Sequence, residues 1–200
     1  GKLMKAYYAK QDAEKLSGKG DTSQKLTLMK TSADSLKKSA DALNDSSLWE
    51  KKKIKKKDEK TGEEIEVEDY DWDKITKAVK SFVEDYNDVV KEAGESNTKD
   101  VLRNASWMTG MTDKNSNMLA QIGITIGKGN KLELDEDALK QADISSLKTV
   151  FTGYNSFVSK ISQKATGISN AANRASATYT NNGTYSKTDS SLTSSKIDKE

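Results

Sequence analysis

Gly123-x-x-x-Gly127-Lys128-Gly129 carries the glycines and the lysine of a phosphate-cradling loop. That loop needs one more residue between its glycines, and a Ser or Thr after the lysine to hold Mg²⁺. Gly129 stands where the hydroxyl must be, so the segment reads as a hairpin turn. Asp69-x-Asp71-x-Asp73 opens like a calcium loop, yet Lys74 fills the position whose sharp bend demands Gly. It reads as an acidic helix-capping cluster that leaves room for weak Ca²⁺ contact at most. Ser35-x-x-Lys38 and Lys60-Thr61-Gly62 resemble pieces of a penicillin-binding set. They lie close together, lack the intervening Ser-Asp-Asn, and put the serine on a heptad-patterned helix. Asn104-Ala105-Ser106 and Asn182-Gly183-Thr184 match the glycosylation triplet, a short pattern with little weight.

Composition narrows the chemistry further. The 200 residues contain no His, no Cys and no Pro. No imidazole base, thiolate nucleophile, disulfide or zinc-cysteine site can be built from this chain. Carboxylates are plentiful, but a general acid needs burial that raises its pKa, and no acid lies within an apolar run. No catalytic, cofactor-binding or metal residues are therefore assigned, and the chain is read as a structural or binding protein rather than an enzyme. The absence of Cys suits an extracellular bacterial protein. The 33 basic and 31 acidic residues nearly cancel, so no global field recruits nucleic acid or an anionic membrane. No stretch of about 18 apolar residues spans a bilayer, and no signal peptide is recognised. Gly1 suggests an expression remnant, with the natural N-terminus lying elsewhere.

The elements that would position any site are mostly helical. Leu26, Met29, Ala33, Leu36, Ala40 and Leu43 keep a heptad rhythm, as do Ile75, Val79, Phe82, Tyr86, Val89 and Ala93. The longest series is Leu147, Phe151, Tyr154, Val158, Ile161, Ala165, Ile168, Ala172, Ala175 and Tyr179. It predicts one long C-terminal helix capped by Ser145 or Ser146. Such stripes bind either to one another within a bundle or to another chain as a coiled coil, and the pattern leaves both open. Asp21, Thr22 or Ser23 would cap the first heptad helix after a break at Ser17-Gly18-Lys19-Gly20. Asp71 or Asp73 would cap the second, which Gly94 ends. Asn97 or Thr98 would start another helix through Val101, Leu102, Trp107, Met111 and Met118, with Gly110 as its weak point. Residues 3–16 predict a helix with Ala6, Ala9, Ala13 and Leu16 in register.

Two segments break the pattern. Trp49 to Asp69 predicts a β-hairpin with a Lys-rich arm (Lys51, Lys52, Lys53, Lys55, Lys56 and Lys57 around Ile54) and an alternating Glu64-Ile65-Glu66-Val67-Glu68 arm about Thr61-Gly62. The lysines read either as cross-strand partners of the acidic arm or as a nucleic-acid or lipid patch. Residues 122–134 predict a second, short hairpin about a Gly129-Asn130 turn, followed by a helix capped by Asp135.

Four motifs then fall in order over about 85 residues: Ser81-Phe-Val-Glu-Asp-Tyr-Asn-Asp-Val-Val90, Leu119-Ala-Gln-Ile-Gly-Ile-Thr125, Lys131-Leu-Glu-Leu-Asp-Glu-Asp-Ala-Leu-Lys140 and Val150-Phe-Thr-Gly153. Together they resemble the C-terminal region of the flagellar filament-capping protein, the flagellar hook-associated protein 2 family. The resemblance implies a secreted, extracellular structural component of the bacterial flagellum without cofactors. It also implies partners in the form of further copies of itself, flagellin or other hook-associated proteins. The competing reading is a secreted or surface adhesion module on the same helical stalk. The expected fold is predominantly helical α+β, an elongated bundle with two small hairpins, in which residues 1–180 form one domain and 181–200 a Ser/Thr-rich flexible tail.

Overall fold

The computed structural model describes residues 2–15 and 20–177. The expectations for Leu16, Ser17-Gly18-Lys19, Tyr179, the Asn182 triplet, the 181–200 tail and the side chain of Ala13 lie outside the described residues. Among those described, eight helices and two two-stranded antiparallel sheets make a predominantly helical α+β fold. In chain order these are α1 (Lys2–Lys15), α2 (Ser23–Leu43), β1 (Lys52–Lys57), β2 (Glu64–Asp69), α3 (Trp72–Gly94) and α4 (Lys99–Lys114). There follow α5 (Ser116–Gln121), β3 (Ile124–Ile126), β4 (Leu132–Leu134), α6 (Glu136–Gln141), α7 (Ile144–Phe151) and α8 (Phe157–Ala177).

Local chemistry sets the helix ends. The Thr22 hydroxyl accepts from Lys25 N at 3.1 Å to start α2, and Asp71 accepts from Lys74 N at 3.1 Å to start α3. Asp135 caps α6 in the same way, through Ala138 N. The cap of α7 is Asp143, which accepts from Ser145 N and Ser145 Oγ, rather than either serine. The expected single C-terminal helix is two. Gly153 takes φ +101°, and Asn44, at the end of α2, brackets it by accepting from Gly153 N at 2.8 Å and donating to Gly153 O. Ser156 Oγ then accepts from Ser159 N to restart the helix. A positive-φ glycine pinned at both backbone groups overrides the heptad rhythm that runs across it. The weak point expected at Gly110 falls instead at Asn115, whose side chain donates to Met111 O between α4 and α5.

Helices α2, α3, α4 and α8 form a four-helix bundle in which each touches two others. The α2 stripe is buried at all six expected positions, and α3 buries its six together with Val83 and Val90. At one end Phe82 meets Phe151 and Phe157 edge-on, and Trp49 stacks on Phe151 at 5.5 Å. The Trp49 indole N–H is satisfied by Leu43 O at 2.8 Å. Helix α1 lies against α4 and α3 through Tyr7 and Leu3, whereas Ala6 and Ala9 are exposed. A tyrosine removes far more apolar area than an alanine, so the larger side chain decides which face turns inward.

The second hairpin buries Ile124 and Leu132 in the core and is hydrogen-bonded to the bundle through a carboxamide. Asn87 of α3 donates to Leu132 O at 3.0 Å and accepts from Leu132 N at 2.7 Å, standing in for a neighbouring strand at the edge of β4. Gly123, with φ +90°, brings the chain so near α6 that a Cβ would lie 2.7 Å from Asp135 O and 3.0 Å from Leu139 N. Gly129 also has a positive φ but faces open space. Gly123→Ala should therefore lower the urea midpoint more than Gly129→Ala, by about 1–3 kcal/mol of stability against about 1 kcal/mol. Equal losses would put the whole cost in the dihedral and none in the close approach.

Candidate functional site

The residues expected to carry assembly form the stripe from Leu147 onward, and α7 and α8 now position them. Leu147, Phe151, Val158, Ile161, Ala165, Ile168 and Ala172 are buried within this chain, and Ala175 packs against the core at partial exposure. Tyr154 belongs to the interhelix turn and is 84% exposed. The seam's main neighbour is α2. Alanines alternate with larger residues on both sides, Ala33 and Ala40 on α2, Ala165 and Ala172 on α8. Small side chains at heptad spacing let the two backbones come close.

Short polar side chains exploit that closeness. Ser169 Oγ donates to Asp34 at 2.6 Å, and one heptad away Ser162 Oγ donates to Asp41 at 2.6 Å. The numbering runs in opposite directions, so α2 and α8 are antiparallel. Each carboxylate also takes its own (i, i+4) lysine, Lys30 at 2.7 Å and Lys37 at 2.5 Å. Burial opposes the ionisation of Asp34 and Asp41, but the bonds from lysine and serine outweigh it and hold both below the usual carboxylate range. On the other flank of α8, Gly167 passes so close to α4 that a Cβ would meet the Asn104 amide. Asn104 also donates to Asp100 O within its helix, which removes the Asn104-Ala105-Ser106 triplet from the exposed loop that glycosylation needs.

A buried carboxylate joins the loops at the far end of the bundle. Asp21, only 3% exposed, accepts from Ser96 Oγ at 2.8 Å, Asn97 N at 2.8 Å and Thr98 Oγ1 at 2.5 Å. It was a candidate cap for the adjacent α2. Instead it organises the start of α4, where Thr98 makes no side-chain cap of its own.

The remaining chemical motifs resolve into structure. The glycines of the phosphate-loop-like segment serve β3, its turn and the approach to α6. Asp71 caps α3, and Asp69 pairs with Lys56 and accepts from Tyr70 N. Among the described residues no three His, Cys, Asp or Glu are grouped to hold a metal, and no helix is long and apolar enough to cross a membrane. In the first hairpin the register sets Lys53, Lys55 and Lys57 opposite Glu68, Glu66 and Glu64. This is the cross-strand pairing alternative for the lysines. One expectation is corrected: an acid raised by burial does exist. Asp85 faces a groove between α2 and α3 with Ser35, Lys38 and Ser39. Burial, with Asp88 and Glu84 adding repulsion, lifts it above the usual range against the pull of the Ser39 bond. Its acidic neighbours lie on its own helix, and among the described residues no second carboxylate lines the groove.

A family model described as flagellar hook-associated protein 2 C-terminus matches residues 96–200. The chain belongs to the flagellar hook-associated protein 2 family. No curated protein and no solved structure matches it. The flagellar hook-associated protein 2 match covers three of the four motifs that carried the resemblance and begins after Ser81–Val90. That upstream motif nevertheless supplies Phe82, Tyr86 and Asn87, whose partners Phe151, Thr112 and Leu132 all lie inside the matched span. Membership places the chain among structural proteins of the flagellum. Reading the sequence missed the exposure of Trp107, at 62%, with Lys164 Nζ 4.9 Å from its ring centroid. The signal was available: α4 buries Val101, Ala105, Met108 and Thr112, and Trp107 is off that stripe.

The carboxylates make stability depend on pH in opposite senses. Asp34 and Asp41, held low when folded, contribute above the usual carboxylate range and lose that contribution as pH falls through their lowered values. Asp85, held high, penalises the ionised folded state at neutral pH and ceases to do so once protonated. Asp85→Asn should raise the melting temperature at about pH 7 and not at about pH 3. The double change Asp34→Asn, Asp41→Asn should lower it at about pH 7 and by less at about pH 3. An Asp85→Asn gain equal at both values would move its cause from charge to packing.

Proposed function

We propose that this protein is an exported, extracellular component of the bacterial flagellum that acts as the filament cap does, by self-association and by contact with flagellin or other hook-associated proteins. The family match over residues 96–200 carries this reading. The fold supports it, because the chain offers a helical body with two hairpins at its margins. Residues 1–180 are taken as one helical domain followed by a Ser/Thr-rich tail. A single apolar cluster from Leu26 to Ala172 supports that division.

In this reading the Leu147–Ala172 stripe does its work inside the chain, as an antiparallel coiled-coil-like seam that stiffens the body. Among the described residues Tyr154 is the most exposed member of the stripe and is free to meet a neighbour. The adhesion alternative draws its support from Trp107, a large exposed aromatic of the kind that anchors partners. The test is to follow a fluorescently tagged copy in its own host and to delete the gene. Signal at the filament tips and loss of filaments on deletion are expected. Signal over the cell wall, with filaments and motility intact, would favour the adhesion module. In vitro, light scattering at rising concentration should show assemblies larger than one chain, and Tyr154→Ser should weaken them severalfold.

A further inference from the structure

The β1–β2 hairpin is the element that neither the bundle nor the family match accounts for. It pairs with itself and only brushes the helical body. A lone two-stranded hairpin is marginal in water. Its sheet has two strands, so β1 and β2 each keep one free edge. Asp58 N donates to Glu63 O at 2.8 Å, which fixes the alternation of the ladder. The pairs Lys56–Ile65, Ile54–Val67 and Lys52–Asp69 share the inward phase. The backbone groups of Lys53, Lys55 and Lys57 on β1, and of Glu64, Glu66 and Glu68 on β2, therefore point outward.

The residues with outward backbone groups carry one sign of charge on each edge: basic on β1, acidic on β2. A β1 edge laid on another β1 puts Lys beside Lys, and β2 on β2 puts Glu beside Glu, both unfavourable. Laying β1 of one copy on β2 of another repeats the Lys-to-Glu pairing that the hairpin already makes internally. The opposite face adds an apolar row, Ile54 and Val67 half-buried and Ile65 39% exposed, which an added strand would extend. The other hairpin has no such opening at β4, where Asn87 occupies the edge.

We propose that this hairpin is a second self-association element in addition to Tyr154, β1 of one copy adding antiparallel to β2 of the next through complementary charged edges. The partner is a second copy of this chain, and the contact is head-to-tail, with different surfaces on its two sides. This rests on the self-association reading above and adds a surface to it.

The experiment uses the full chain and a charge-exchanged variant in which Lys53, Lys55 and Lys57 become Glu while Glu64, Glu66 and Glu68 become Lys. Each hairpin keeps its internal pairing, and each protein presents complementary edges to copies of itself. With chains labelled at the N-terminus by donor or acceptor dye, each protein should associate with copies of itself to a similar extent. Salt of about 1 M should weaken both self-associations. Lys55→Pro, which removes an outward donor and spares the inward ladder, should weaken assembly of the wild-type chain. Association of Lys55→Pro chains as readily as wild-type chains would overturn the hairpin as the contact and leave self-association through another surface. Monomers of both proteins at every concentration would overturn self-association as well.

Discussion

Close approach of α2 and α8 is the constraint on which the rest of this molecule depends. Only 34% of the chain is hydrophobic, so the core is narrow and each apolar residue must be used at short range. Alanine every seventh position on both helices brings the backbones together. That closeness allows side chains as short as serine and aspartate to bond across the seam at 2.6 Å. Longer polar residues would have reached across a wider gap at greater entropic cost. The alanines and the Ser–Asp bonds are thus one device, and neither works without the other.

Sharing out that core explains the arrangement of the other elements. Helix α3 brings Phe82 to the aromatic junction and sends Asn87 to the edge of the second hairpin. Helix α4 closes the bundle on the far side of α8, where Gly167 makes room for Asn104. Tyr86, whose hydroxyl lies 2.7 Å from Thr112 Oγ1, links α3 to α4, and burial holds its phenol well above its ordinary pKa. Most buried polar side-chain atoms among the described residues have local or reciprocal partners, Thr76 Oγ1 and Asn97 Oδ1 being the exceptions.

Much of this was legible from residue types and spacing. Heptads identified the buried faces of α2 and α3 position by position, and the Lys and Glu arms with Thr61-Gly62 between them gave the first hairpin. What periodicity could not reveal was where a helix stops while its rhythm continues. Phe151, Tyr154 and Val158 fit the spacing, yet Gly153 breaks the chain there because Asn44, more than a hundred residues earlier, holds its backbone. The Asp85 groove was hidden for the same reason, since an acid flanked by Glu84 and Tyr86 looks solvated until α2 is laid beside it. The stripe did not by itself disclose its partner, because a seam looks alike whether its complement is in the same chain or another.

Asp21 sits outside the family-matched span, whereas Ser96, Asn97 and Thr98 are its first three residues. One carboxylate therefore splices the upstream chain onto the start of the segment shared with the family. Evolution could exchange what precedes residue 96 only for a segment that delivers a buried acceptor to that same point, together with an alanine-spaced helix for α8. The modularity of this fold is thus conditional, and its joint is a matter of three hydrogen bonds rather than of a linker.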